Sequence, residues 1–141
     1  MTDIRIIQAD LALAGAVEAA LPEFARKRTV DQYLARFQGR PHLCLVALVD
    51  GRAAAYKLGY RLDEGVFYSW LGGVLPPWRR LGLAQRLLDA QESWARRHGY
   101  QRIEVKSTPE FPTMLAFLAK NGYRSQGGPG RKLLFVKPLA R

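Results

Sequence analysis

The apolar and polar positions of this chain fall into short runs of period two and longer runs of period 3.6. "IRII", Ile4–Ile7, predicts a short strand. "LALAGAVEAALPEF", from Leu11, predicts a helix stopped near Pro22. "VDQYLARFQG" places Val30, Tyr33, Leu34 and Phe37 on one face of a second helix, which ends at Gly39. "HLCLVALVDGRAAAYKLGYR" reads as a hairpin, two apolar runs joined by the two-residue turn Asp50-Gly51. "GVFYSWLGGVL" is a third strand, apolar and rich in aromatics. From Leu81 the period changes. Apolar residues recur at Leu83/Ala84, Leu87/Leu88 and Trp94/Ala95, with Arg86, Asp89, Arg96 and Arg97 mostly off that face. Gly99 closes this helix, and Arg96 and Arg97 in its last turn suit the helix dipole. "RIEVKS" is a further strand, "PTMLAFLAKNGY" a shorter helix stopped at Gly122, and "LLFVKPL" a final strand reached through the turn "GGPG".

The resulting order is β-α-α-β-β-β-α-β-α-β-β. A strand feeding a helix feeding a strand implies one parallel crossover inside an otherwise antiparallel sheet. The expected fold class is therefore α/β: a mixed, mostly antiparallel twisted sheet with helices on both faces. A length of 141 residues fits a single domain spanning 1–141 and leaves little room for two. The hydrophobic fraction of 48% is ordinary for a packed core.

Charge and cysteine usage narrow the setting. No apolar run approaches the roughly 18 residues a spanning helix needs, and "MTDIRIIQAD" lacks a signal-peptide pattern, so no membrane partner is expected. The lone Cys44 cannot form an internal disulfide, which points to a reducing cytoplasm, and within "HLCLVALV" it reads as a small buried hydrophobe. The net charge of +10 favours anionic partners, although an arginine-rich composition of the source organism accounts for it equally well. From Lys120 to Arg141 there are six basic residues and no acidic one.

Most catalytic constellations are missing. His42 and His98, the only histidines, fall in different elements, and neither G-x-S-x-G nor H-E-x-x-H occurs, so triad and metal chemistry are not expected. There is no Walker-type loop and no G-x-G-x-x-G. What remains is "GGVLPPWRRLGLAQRLLDA", Gly72–Ala90, where a strand turns into a helix with no acidic cap. The first N–H groups of that helix lack internal partners and sit at the positive end of its dipole, a ready anion site. Gly82 would let a phosphate approach the backbone closely, Ala84 keeps the next turn narrow, and Arg79 and Arg80 add attraction. Taken alone, this turn reads equally well as a pyrophosphate cradle or as an ordinary βα turn with a glycine.

The pattern R-x-x-G-x-A between an apolar strand and an amphipathic helix resembles the acyl-CoA signature of the GNAT superfamily of N-acetyltransferases. "YSWLGGVLPPWRRLGLAQRLL" is similar to the family's central strand, bulge and pyrophosphate loop, and "RIEVKSTPEFPTMLAFLAKNGY" to its later strand and helix, including Lys120, Gly122 and Tyr123. The resemblance spans nearly the whole chain. It implies acetyl-CoA as co-substrate, no metal, and transfer of the acetyl group to an amine, whether of a small molecule or of a peptide. It also implies two parallel strands that splay after a bulge, for which Gly72-Gly73 is the candidate. The backbone of Val74 and Leu75 would then face the pantetheine arm, and the amides of Arg80, Leu81, Gly82, Leu83 and Ala84 the pyrophosphate, with Arg79 or Arg80 touching phosphate.

Acetylating an amine needs a polarised thioester carbonyl, a base, and a proton for the leaving thiolate. Backbone N–H groups of the splayed strand could supply the first. Glu104, or Asp63 and Glu64 in a loop, are the candidate bases. The tyrosine that many relatives use as thiolate acid aligns with Leu118, and the asparagine often found earlier is absent. Tyr68, Ser69, Ser107 and Tyr123 are substitute hydroxyls; alternatively the thiolate leaves unaided. Phe67 with Trp70, or Tyr68 with Ser69, would pack the core while the other pair lines an acceptor cleft. Two other functions compete: an acyl-CoA-binding or sensing domain without turnover, suggested by Leu118, and a basic nucleic-acid-binding module, for which no RRM, KH or zinc pattern appears. Dimers are frequent on this fold, so a homodimer is among the expected partners, with no interface fixed by sequence.

Overall fold

A computed structural model describes residues 2–24, 27–128 and 130–139. Seven strands form one sheet: β1 (Ile4–Gln8), β2 (His42–Val49), β3 (Arg52–Asp63), β4 (Val66–Val74), β5 (Arg102–Ser107), β6 (Arg124–Ser125) and β7 (Leu133–Pro138). Their spatial order is β1-β2-β3-β4-β5-β7-β6, and β4 with β5 is the parallel pair. The helices are α1 (Leu11–Ala19), α2 (Val30–Phe37), α3 (Leu83–Arg97) and α4 (Pro112–Lys120).

The turn between β2 and β3 forms as its residues require. Asp50 has φ 50° and Gly51 φ 81°, both left-handed, the conformation of a type I′ hairpin turn. Strand alternation then sorts side chains onto two cores. Tyr56, Leu58, Tyr60 and Tyr68 pack with Val17, Tyr33 and Phe37 of α1 and α2. Ala55, Phe67 and Ile103 pack with Leu87 and Leu88 of α3 and Leu118 of α4. Helices therefore cover both faces, as the crossover rule predicts.

Helix ends deviate from the sequence pattern in ways that have local causes. α1 stops at Ala19, ahead of Pro22, and Leu21 leaves the helix to bury itself against the sheet. On α2, Tyr33 and Phe37 carry the apolar face, whereas Leu34 is 48% exposed and does not. α3 begins at Leu83, leaving Leu81 exposed in the preceding loop. A fully buried carboxylate, Glu18 of α1, ties this layer together: it accepts from the Tyr56 hydroxyl at 2.9 Å and from the Arg28 backbone N–H at 2.9 Å.

The bulge lies elsewhere than expected. Lys57 pairs with Gly72 and Tyr56 with Gly73 in unbroken register, so the glycine pair is regular strand. The shift occurs where Leu58 pairs with Leu71 while Gly59 pairs with Ser69, which leaves Trp70 as the extra residue. Gly59 permits this, because a Cβ there would come within 2.3 Å of the Phe67 ring. Gly73 serves packing instead: a Cβ on it would stand 2.6 Å from Leu21.

Candidate active site

The parallel pairing of β4 and β5 is short. Val66–Ser69 pairs with Arg102–Val105, and there it ends. Beyond that point β4 runs on along β3 to Val74, while β5 follows β7 to Ser107. The two strands part at the Trp70 bulge, at their C-terminal ends, where ligands bind in open α/β sheets. Leu75 N–H donates to the Ala54 carbonyl at 2.9 Å, so its amide faces β3. By strand alternation Gly73 also faces β3, and the backbone groups of Gly72 and Val74 face the opening. The Val74 N–H faces the opening while its carbonyl accepts from Arg79 Nε at 2.9 Å, and the Leu75 amide is spent inside the sheet.

At the mouth of this opening the chain makes a short 3-10 turn, Pro76–Trp78, and enters α3 through Gly82. Gly82 has φ 76° and caps the helix with no side-chain hydrogen bond, and the first turn holds no acidic residue. Nothing stands within 4 Å of where its Cβ would be, so open space faces the free amides of α3. Arg80 also takes a positive φ, 68°, and Leu83 turns its side chain into the core, leaving its backbone to the loop. Ala84 is exposed beside Gly82. Arg79 turns away from the loop's free amides: its Nε donates to the Val74 carbonyl at 2.9 Å, and its guanidinium pairs with Glu23.

On the α1/α2 face of the opening, Tyr68 and Glu104 are register partners across the parallel pair. Tyr68 is buried, and burial first, then the neighbouring Tyr60, raises its phenol. Glu104 is bridged to Arg102 at 2.9 Å. Trp70 shares this face, packing edge-on to Tyr60 with ring centroids 6.0 Å apart, and the Arg36 guanidinium lies 4.8 Å from its ring centroid. Phe67 lies on the other face against Trp94 of α3. The pairs are therefore Tyr68 with Trp70 and Phe67 with Ser69, by simple period two, and the expected pairing of Phe67 with Trp70 is incorrect. Ser69 is buried on the α3 face, away from Glu104.

The α3/α4 face carries the candidates for the thiolate. Leu118 is 2% exposed in the apolar core. The Tyr123 hydroxyl donates to Glu92 at 2.7 Å, and Lys137 Nζ binds the same carboxylate at 2.8 Å. Burial and that bond push the phenol well above its ordinary value, and its proton is committed to Glu92. Ser107 stands at the end of β5 opposite Leu133. Asp63 and Glu64 lie at the opposite end of β4 from the loop, where Asp63 caps the turn by accepting the Glu64 N–H at 2.8 Å. Cys44 is buried, and desolvation pushes its thiol up to about 11. No group of three or more potential metal ligands occurs among the described residues. Lys57 carries no local signal of a role: its alternation with Tyr56 and Leu58 is legible in the sequence, but its place over Gly72 depends on long-range strand pairing.

The sheet thus opens between its parallel strands in front of an uncapped helix. A family model described as "Acetyltransferase (GNAT) family" matches residues 13–123, and the chain belongs to that family. It is accordingly an acyltransferase with acetyl-CoA as co-substrate. The fold is similar to PaiA N-acetyltransferase from Thermoplasma acidophilum in complex with coenzyme A, at 15% identity and TM-score 0.81 over 96% of this chain and 99% of that one. It is also similar to Ard1 from Thermoplasma volcanium, at 16% identity and TM-score 0.83 over 98% and 99% of the two chains. The ribosomal-protein-S18-alanine N-acetyltransferase from Escherichia coli aligns at 18% identity and TM-score 0.78 over 100% and 96%. No curated protein matches the sequence significantly.

Proposed function

We propose that the chain transfers the acetyl group of acetyl-CoA to an amine, with the thioester end lying in the β4–β5 opening and the pyrophosphate at the start of α3. The observation that carries this reading is the parting of β4 and β5 at Trp70 immediately ahead of the uncapped, unobstructed Gly82. Acetyl-CoA supplies the acetyl group as an activated thioester. The opening-facing backbone of Gly72 and the Val74 N–H hold the pantetheine arm as an added strand would be held. The amides from Gly82 to Ala84 bind pyrophosphate at the helix dipole's positive end. Glu104 accepts the amine proton, directly or through one water, and Tyr68 beside it orients the acceptor nitrogen. The aromatic wall of Tyr60, Tyr68 and Trp70 excludes water from that side.

The test is coenzyme A thiol release from acetyl-CoA with a panel of polyamines, amino acids, aminoglycosides and peptide N-termini. Turnover with at least one amine supports the reading. Tight coenzyme A binding with no turnover on any acceptor supports the second reading, a sensing domain, which the burial of Leu118 at the expected acid position favours.

A further inference from the structure

Lys57 of β3 lies between Tyr56 and Leu58, which both point into the α1/α2 core, so its side chain emerges on the α3 face. Its register neighbours across the sheet, Leu45 on β2 and Gly72 on β4, carry no charge. A Cβ on Gly72 would stand 3.7 Å from Lys57 Cγ and 3.7 Å from its Nζ. The lysine chain therefore folds over the bare Cα of Gly72 and brings its ammonium to rest above β4. Gly72 lies two residues beyond Trp70, in the part of β4 that β5 no longer pairs. The ammonium thus flanks the opening on the same face as Leu118.

Among the described residues this cation forms no ion pair of its own. The charge acting on it is Glu92 of α3, and that carboxylate is already held by Lys137 and Tyr123, with Arg96 at 3.8 Å. Loss of water, only partly offset by Glu92, pulls the Lys57 ammonium down to about 8. Next to Glu92, the fully buried Gln91 carboxamide has no hydrogen-bond partner for either its oxygen or its nitrogen among the described residues. The layer between α3 and the sheet thus holds polar groups that the chain does not satisfy itself. Buried polar groups without partners are uncommon in folded proteins, and perturbed titratable groups cluster at functional sites.

We propose that Lys57 donates the proton to the coenzyme A thiolate in this chain, in place of a phenol on α4. The proposal rests on the β4–β5 opening being the acyl-CoA site. The acceptor nitrogen forms a bond to the acetyl carbonyl carbon, the carbon–sulfur bond breaks, and its electron pair stays on sulfur. The amine proton passes to Glu104, the Lys57 ammonium gives a proton to sulfur, and neutral Lys57 is reprotonated from water. Donor and acceptor are well matched, since an ordinary thiol titrates at roughly 8.5.

Coenzyme A itself is the probe, and no acceptor amine is needed. The ultraviolet absorption of its thiolate is followed against pH, free, bound to the wild-type protein, and bound to Lys57→Met. The ammonium should make the bound thiol about tenfold more acidic than the free one, roughly one pH unit. Lys57→Met should return it to the free value, with coenzyme A affinity at mildly acidic pH changed less than about threefold. Lys57→Arg keeps the charge and should keep the acidified thiol. An unshifted thiol in the wild-type complex overturns the proposal without any variant. So does a shift that survives in Lys57→Met. A wild-type protein that binds no coenzyme A overturns the site itself, and the role of Lys57 with it.

Discussion

Arg79 Nε donates to the carbonyl of Val74 at 2.9 Å, so the loop that enters α3 is latched back onto the strand it has just left. The same guanidinium pairs with Glu23 in the segment between α1 and α2. An arginine that the sequence offers as a phosphate ligand is thereby engaged as a brace, and the two roles predict different salt behaviour.

Arg79→Ala should weaken coenzyme A binding about fivefold, the effect of one hydrogen bond of about 1 kcal/mol. Its binding constant should fall with added salt as steeply as that of the wild type. A direct phosphate contact would instead flatten the salt dependence on removal. Calorimetric titration at two ionic strengths separates the outcomes.

Glu104→Gln should lower the rate of acetyl transfer by about 10²–10⁴, the usual contribution of a positioned base, while leaving coenzyme A affinity unchanged. The measurement is steady-state kinetics with whichever amine the panel identifies. A rate within twofold of wild type would move the base elsewhere.

Tyr123→Phe removes a buried donor to Glu92 and should cost about 1–3 kcal/mol in denaturant unfolding, with the turnover number unaffected. If stability were preserved and turnover fell, the hydroxyl would be acting on the substrate after all.

Lys57 also carries a signature in stability. Burial pulls its ammonium from 10.5, the ordinary lysine value, down to about 8 in the folded protein, so between those values the unfolded chain binds more protons. Stability should therefore rise as the pH goes from about 8 to about 10.5, and the destabilising effect of Lys57 is fully present below 8. Lys57→Met should lose that rise and unfold at higher temperature near neutral pH, the trade expected of a group kept for function. Equal pH profiles for the two proteins would count against a strained, desolvated ammonium.

How far the residues announced this arrangement depends on the range of the interactions involved. The Asp50-Gly51 turn, the Gly99 stop and the β5 segment Arg102–Ser107 are set by local chemistry and stand where the pattern puts them. So does the open, uncapped start of α3 at Gly82. The bulge is different. Trp70 is unpaired only because Gly59, eleven positions earlier on another strand, lets the Phe67 ring close over it. Nothing local marks that, and the adjacent Gly72-Gly73 pair attracts attention for a separate reason, the packing of Leu21. The faces of Tyr68 and Trp70, the occupation of Tyr123 by Glu92 and the position of Lys57 over Gly72 all follow from pairings of the same long range. The turn into α3 was therefore legible, and the bulge with the side chains around it was not.

A phosphate-bearing coenzyme that caps α3 at Gly82 must sense any side chain placed there, which the dissociation constants of coenzyme A for wild type, Gly82→Ala and Gly82→Glu report. Any side chain at this left-handed position costs about 1–2 kcal/mol of strain, so Gly82→Ala is the control for backbone effects. Gly82→Ala should fold and bind within about tenfold of wild type, and a folded Gly82→Glu should lose binding by more than about a hundredfold. A folded Gly82→Glu that binds coenzyme A as tightly as Gly82→Ala would contradict a coenzyme cap at Gly82.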